Sequence, residues 1–425
     1  MDPQHVDDVA KALATPTSRR KALQLLAGLA GASGLAALPI PGLERGALAA
    51  LAQETPTTAE PPFAAKLQPL LQSKMRQYRI PGAIVYVDIP GQGTWLQTMG
   101  TGDLSTKAPL DPKGYVRIGS ITKTIVATVV LQLVEEGKLH LDDPLSKYQP
   151  EVPNGAHMTI RQLLNMSSGI FSYTEDSAFW QAADANPNRV WNPKELVAMA
   201  LQHRPYFPPG QGFHYSDTNY ILLGLLIEQI THQPVGAVFR QRVFTPLGMH
   251  ETVMPALTST AFPTPHPHGY QYGSSNQALN EPPLTGEAAA HANASAGTPR
   301  DVTALNPSEA WTAGAVLSTL HDLKIWARAL ATGTLLTAQM QHERLSGMLP
   351  LDRQGDSYGL GITQIYGLLG HDGQIQGFTT FMLYQPKRQA TVIVLVNLTA
   401  TPDRNDPSTV LIAPILKQLF AKPRR

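Results

Sequence analysis

Ser120-Ile121-Thr122-Lys123 places a hydroxyl and an amine three residues apart at the start of the strongest helical pattern in the chain. Residues i and i+3 share a helical face, so the lysine nitrogen can reach the serine oxygen. A serine hydroxyl is a weak nucleophile until a neighbouring base takes its proton. A helix N-terminus also turns backbone N–H groups toward an oxygen that is gaining negative charge. Taken alone, Ser-x-x-Lys fits an ordinary helix cap beside a solvated lysine equally well. Two further polar words follow: Tyr215-Ser216-Asp217 opens a helix after a Pro/Gly loop, and His371-Asp372-Gly373 precedes a strand-like run at 377–384. The chain has 0 Cys, so thiolate nucleophiles, disulfides and Cys-ligated metals are excluded. It has no G-x-S-x-G, H-E-x-x-H or phosphate-binding loop. His266 and His268 sit in a Pro-rich stretch with no evident third ligand, and neither a metal nor a cofactor is expected.

The elements that must position these residues are legible from periodicity. Helical patterns run over 64–78, 121–136, 160–164, 193–201, 220–230 and 319–330, and an amphipathic helix over 408–420 closes the chain. The segments 83–89 and 94–99, around Pro90-Gly91-Gln92-Gly93, read as a hairpin. So do 377–384 and 390–397, around Gln385-Pro386-Lys387-Arg388. Strands near both ends with helices between them predict an α/β fold. One antiparallel sheet, formed by both chain ends and flanked by helices, carries an inserted mostly helical lobe at roughly 140–305, and the site lies in the groove between them. The stretch 273–307 lacks periodicity and is expected to be an irregular, site-lining loop. Trp311 and Trp326 read as core.

Composition bounds the rest. At 425 residues, 43% hydrophobic and 15% charged, the chain can bury a large core. A net charge of +1 gives no reason to expect a nucleic-acid partner. The expected partner is a small-molecule or peptide substrate. Arg19-Arg20 precede a Gly/Ala-rich apolar run and Ala-x-Ala sites at 47–49 and 50–52, the order of a twin-arginine export signal. The domain plan is therefore an export signal at 1–52, a linker at 53–62 and a catalytic domain at 63–425. The protein is expected outside the cytoplasm, extracellular or in the periplasm or cell envelope. No stable membrane anchor is expected in the mature form.

The words around the motifs add a resemblance. RIGSITKTIVATVVLQLVEEGKLHLDDPLSKYQP (117–150), FHYSDTNYILLGLLIEQI (213–230), AGAVLSTLHDLKIWARAL (313–330) and GHDGQIQGFTTF (370–381) resemble the serine β-lactamase-like, penicillin-binding superfamily. The likeness extends over nearly all of 64–420. The branch it resembles most is that of the secreted D-alanyl-D-alanine carboxypeptidases and class C β-lactamase-like esterases. It implies Ser120 as acylated nucleophile, with Lys123 and Tyr215 sharing the work of base and Tyr215 protonating the leaving group. A phenol titrates near about 10, and the Lys123 ammonium is expected to lower Tyr215 toward neutrality. The resemblance also implies an oxyanion hole at the N–H groups of Ser120 and Gln374, an open strand edge at Gly373, and positive or hydrogen-bonding character from His371 beside Tyr215.

Three positions depart from the pattern. Asp217 stands where Asn usually donates to the substrate's acyl side chain. Asp372 stands where a Thr or Ser hydroxyl usually holds the substrate carboxylate. Met166 replaces a common His. Two carboxylates facing the groove favour an uncharged ester or amide over an anionic cell-wall peptide or β-lactam. The expected activity is acyl transfer to water of the carboxypeptidase or β-lactamase kind. A carboxylesterase, or a non-catalytic binder or sensor of cell-wall peptides, are the alternatives.

Overall fold

The computed structural model describes residues 60–351 and 355–421. The expected export signal at 1–52 and linker residues 53–59 lie outside the described residues. Helix α1 (Ala64–Gln77) leads into β1 (Gly82–Ile89) and β2 (Gly93–Gly100), an antiparallel hairpin with Gly82 opposite Gly100. Late in the chain come β3 (Leu349–Pro350), β4 (Ser357–Tyr358), β5 (Thr363–Ile365), β6 (Leu368–Ile375), β7 (Phe378–Gln385) and β8 (Ala390–Val396). The eight strands form one sheet in the order β2-β1-β8-β7-β6-β5-β4-β3, antiparallel throughout. The β1–β8 pairing, with Ile84 opposite Leu395 and Val85 opposite Val394, joins the two chain ends as the sequence predicts.

The central strands are apolar on both sides because helices cover both faces. Along β8, Val392, Val394 and Val396 pack with Leu67 and Leu71 of α1 and with Leu411 and Ile415 of α5 (Pro407–Phe420). The alternate residues Ile393 and Leu395 join the larger core that includes α2 (Ile121–Glu135), α3 (Asp217–Thr231) and α4 (Leu320–Thr332). Period-2 alternation thus sorts one strand's side chains into two cores. In α2 nearly every residue from Ile121 to Leu133 is buried, Lys123 included. A β-branched run such as Ile-Val-Ala-Thr-Val-Val loses rotamer freedom in a helix, and burial on all sides is what keeps it helical. Trp326 of α4 is core and donates its indole N–H to Thr124 of α2 at 2.8 Å, and Trp311 is buried as well.

Two expectations need correction. His371-Asp372-Gly373 precedes the strand β7 as expected, but the three residues are not a lead-in to it: they lie inside β6, whose polar and glycine residues break the apolar alternation that marks its neighbours. The stretch 273–307 is not irregular. It carries helices Ser275–Leu279 and Gly286–Ser295 and the short strand Arg300–Asp301. The first has a Ser274/Gln277 capping box. The second rests on alanine propensity rather than on an apolar face. Among the described residues no single helix is long and apolar enough to cross a membrane.

Candidate active site

Gly119 takes φ +53, and a methyl group there would lie 2.6 Å from the Gln374 nitrogen and 2.8 Å from the Gly373 carbonyl carbon. Gly373 is equally confined, since a Cβ would meet the Ile118 oxygen at 2.0 Å. The two glycines let the turn before α2 close against β6, with the Ser120 and Gln374 backbones side by side. Among the described residues the Ser120 N–H has no hydrogen-bond acceptor. Ser120 occupies the N-cap position of α2, yet its side chain caps nothing. Its Oγ instead meets Lys123 Nζ at 2.8 Å.

Lys123 is buried and donates three ways: to Ser120 Oγ at 2.8 Å, to Asp217 Oδ1 at 2.6 Å and to the Ala313 carbonyl at 2.8 Å. Burial lowers its pKa, and the attraction of Asp217 opposes this without cancelling it. Asp217, the first residue of α3, is held from its other oxygen by the Thr174 hydroxyl at 2.9 Å. This overturns the expectation that Asp217 offers an unpaired carboxylate to the substrate. Met166 has a place in the same arrangement: its sulfur accepts from the Ser216 N–H at 3.5 Å and from Asn219 Nδ2 at 3.4 Å.

Tyr215 is partly buried with its hydroxyl oxygen shielded from solvent, and among the described residues that hydroxyl has no partner of hydrogen-bonding geometry. Burial, Asp217 and Asp372 push its phenol well above the ordinary value, against a smaller opposing pull from the Ser120 hydroxyl. The expected lowering by Lys123 does not occur. The ammonium lies over the ring face, 4.9 Å from its centroid, and its hydrogens are committed elsewhere. Tyr215 is therefore a neutral phenol, suited to giving a proton, while Lys123 is the group placed to take one from Ser120.

His371 is 1% exposed, and burial lowers its pKa, so the ring is neutral rather than positive. A carbonyl can only accept, so Nδ1 carries the proton and donates to the Asp372 oxygen at 2.6 Å. Nε2 then accepts from the Tyr358 hydroxyl at 3.1 Å. The His371 and Tyr215 ring centroids are 6.2 Å apart, so His371 braces this wall through Tyr358. Asp372 leaves its side chain 48% exposed, and its carboxylate lies 3.4 Å from Nδ1 of the neutral His371 ring, with no lysine or arginine paired to it among the described residues.

These groups line a groove of about 940 Å³. Among the described residues its walls carry Glu175, Asp217, Glu309, Asp356 and Asp372, and no lysine or arginine. Glu175 accepts from Tyr206 and His214, each at 2.7 Å. Glu309 is buried beside the Arg117 guanidinium, and burial raises its carboxyl to about 7. Sequence reasoning missed Thr174, Glu175, Glu309 and Tyr358. For Tyr358 a signal existed in the following Gly-Leu-Gly: a Cβ on Gly361 would meet that of Ala127 in α2 at 2.3 Å. The stretch 273–307 does reach the groove, through Leu279 and Asn280. His266 and His268 stand apart with ring centroids 6.2 Å from each other, and His268 pairs with Asp301 at 2.5 Å.

Similarity to known proteins extends over this whole frame. The D-stereospecific amidohydrolase from a Streptomyces species is 31% identical in sequence, with 82% of this chain and 97% of that one covered at a TM-score of 0.68. The D-amino acid amidase from Ochrobactrum anthropi SV3 is 27% identical, with 83% and 99% covered at 0.67. Protein flp of Staphylococcus aureus strain COL is 25% identical over 345 residues, and the chain spans 63% of that relative's length. Residues 67–416, and with them every residue of the Ser120 groove from α2 to β6, match the family model described as Beta-lactamase, and the chain belongs to that family.

Proposed function

We propose that the chain is a serine acyl-hydrolase of amides or esters that carry no carboxylate beside the scissile bond. The observation that carries this is the wall of the groove, which among the described residues holds carboxylates and no lysine or arginine to pair with an anionic substrate. The reactive form carries Lys123 as the neutral amine, which burial favours and in which Nζ accepts from the Ser120 hydroxyl; Ser120 Oγ attacks the acyl carbon as its proton passes to that amine. The Ser120 and Gln374 N–H groups receive the developing oxyanion. The bond from the acyl carbon to the leaving nitrogen or oxygen breaks, and Tyr215 gives that atom its proton. Lys123 returns a proton to Tyr215, so the proton of Ser120 leaves with the product. Water then repeats the sequence on the acyl-enzyme and frees the acid.

The Streptomyces and Ochrobactrum relatives, an amidohydrolase and an amidase, support amides as substrates. A carboxypeptidase or β-lactamase activity is favoured by a cation for the substrate carboxylate, and among the described residues the groove walls offer none. A non-catalytic binder would not need the Ser120–Lys123 contact. Parallel specificity constants on a D-amino acid amide, a nitrophenyl ester, a chromogenic cephalosporin and a D-Ala-D-Ala peptide test the proposal. The first two are expected to exceed the last two. Fluorophosphonate should label wild type and not Ser120→Ala. A cephalosporin or D-Ala-D-Ala peptide turned over more efficiently than both neutral-sided substrates refutes the substrate class, and labelling that survives Ser120→Ala refutes the nucleophile.

A further inference from the structure

Asp372 sits between two inward-facing neighbours on β6. His371 is buried, and Gly373 closes on the Ile118 carbonyl, while the Asp372 carboxylate stays half exposed on the groove wall. The other nearby carboxylate, Asp217, is consumed by Lys123 and Thr174. Among the described residues Asp372 has only the His371 ring at 3.4 Å, a neutral ring whose Nδ1 hydrogen already goes to the Asp372 carbonyl. Its charge is felt across the site: it raises the proton affinity of Lys123, Tyr215, Tyr358 and His371.

Its position relative to the reaction follows from Tyr215. The group that protonates the leaving atom marks the departing side of the scissile bond, and Asp372 adjoins His371 on the Tyr215 side of the groove. We propose that Asp372 makes the departing-side subsite selective for a positively charged substituent, so that the preferred leaving group is a cationic amine or alcohol, such as the amino terminus of a basic amino-acid amide or an ammonium-bearing alcohol. This rests on the acyl-enzyme reading of Ser120. A bound cation supplies the countercharge that Asp372 lacks among the described residues, and it departs with the leaving group when Tyr215 has protonated the broken bond.

Three acetate esters test this, each specificity constant being divided by that ester's own hydroxide-catalysed rate to allow for leaving-group acidity: those of 4-(trimethylammoniomethyl)phenol, its uncharged isostere 4-neopentylphenol, and 4-(carboxymethyl)phenol. At low salt the wild-type specificity constant is expected to fall in that order, the cation exceeding the isostere by about fivefold or more, as a half-exposed charge pair allows. Added salt should shrink this ratio. In Asp372→Asn, and independently in Asp372→Thr, the cation-to-isostere ratio should fall to within about twofold. A wild-type ratio near one, or a ratio unchanged in both variants, overturns the role of Asp372 while leaving Ser120 chemistry intact. If all three esters react equally with wild type and Ser120→Ala, it is the acyl-enzyme reading that fails.

Discussion

Replacing Asp217 with Asn tests whether Lys123 is the base that activates Ser120. The pair is 2.6 Å apart, with the Lys123 side chain 0% and the Asp217 side chain 20% exposed. Two unit charges at that separation, in an effective dielectric of about 20, attract by about 6 kcal/mol. The Asn carbonyl retains a hydrogen bond to the ammonium worth about 1.5–3 kcal/mol. The difference, about 3–4 kcal/mol, is two to three pH units at about 1.36 kcal/mol each. Asp217 holds the proton on Lys123 and on the Tyr215 phenol alike. Its loss therefore lowers both affinities, Lys123 by the larger amount because only Lys123 touches it. In a kcat/KM profile on a neutral ester, the acidic limb should move about two to three units lower, and the basic limb should also move lower by a smaller interval. An acidic limb that stays within half a unit of wild type, or that moves upward, refutes the assignment of Lys123 as base.

Three further outcomes follow from the same geometry. Glu309 has its carboxyl raised from 4.5 to about 7, so the stability it contributes is complete below 4.5 and lost as pH rises through about 7. That interval is worth about 3 kcal/mol, and denaturant unfolding at pH 5 and pH 8.5 should show a smaller loss between the two in Glu309→Gln than in wild type. Tyr358→Phe strands a buried acceptor on His371, which costs about 1–3 kcal/mol; turnover should drop while Ser120 still labels, and an unchanged melting temperature and unchanged turnover would contradict the bracing role. Gly119→Ala forces a Cβ to within 2.6 Å of the Gln374 nitrogen, so acylation measured by stopped flow should slow by at least about tenfold through displaced oxyanion donors, and wild-type acylation in that variant would remove them from the mechanism.

The sheet was legible because period-2 alternation is strong in its central strands. Val392 to Leu395 alternate between two cores, and β1 and β8 carry enough β-branched residues to announce themselves. Strand β6 was not legible from periodicity, although the resemblance implied a strand edge at Gly373, for a reason tied to the site. Its residues His371, Asp372, Gly373 and Gln374 are placed by the groove, and they erase the apolar pattern by which a strand is recognised. The helix Gly286–Ser295 failed the periodicity test for a different reason, as it buries no residue and has no apolar face to reveal. The Ser120–Lys123 contact could be read from helical spacing, because both residues lie in one turn. The partners that decide the state of that contact could not. Asp217 reaches Lys123 from 94 positions away and Ala313 from 190.

That long-range assembly separates two substitutions that look alike in sequence. Asp217 and Asp372 each put a carboxylate where the resemblance leads one to expect a neutral group, and on sequence alone each subtracts affinity for an anion. In the fold, Asp217 lines the groove but is held by Thr174 and becomes the counter-ion of a buried lysine, so its effect is on proton affinity and hence on the pH at which Ser120 reacts. Asp372, adjacent to the buried His371 but on the open wall, keeps its charge toward the solvent-filled groove, so its effect is on which substrates enter. A substitution that acts on the base should move pH limbs equally for every substrate. One that acts on the subsite should change ratios between substrates at a single pH. The two kinds of measurement are orthogonal, and an Asp217→Asn/Asp372→Asn double variant should show both effects in full. The two carboxylates touch different groups, and what they share is their field on Lys123 and Tyr215, so any departure from additivity measures that field.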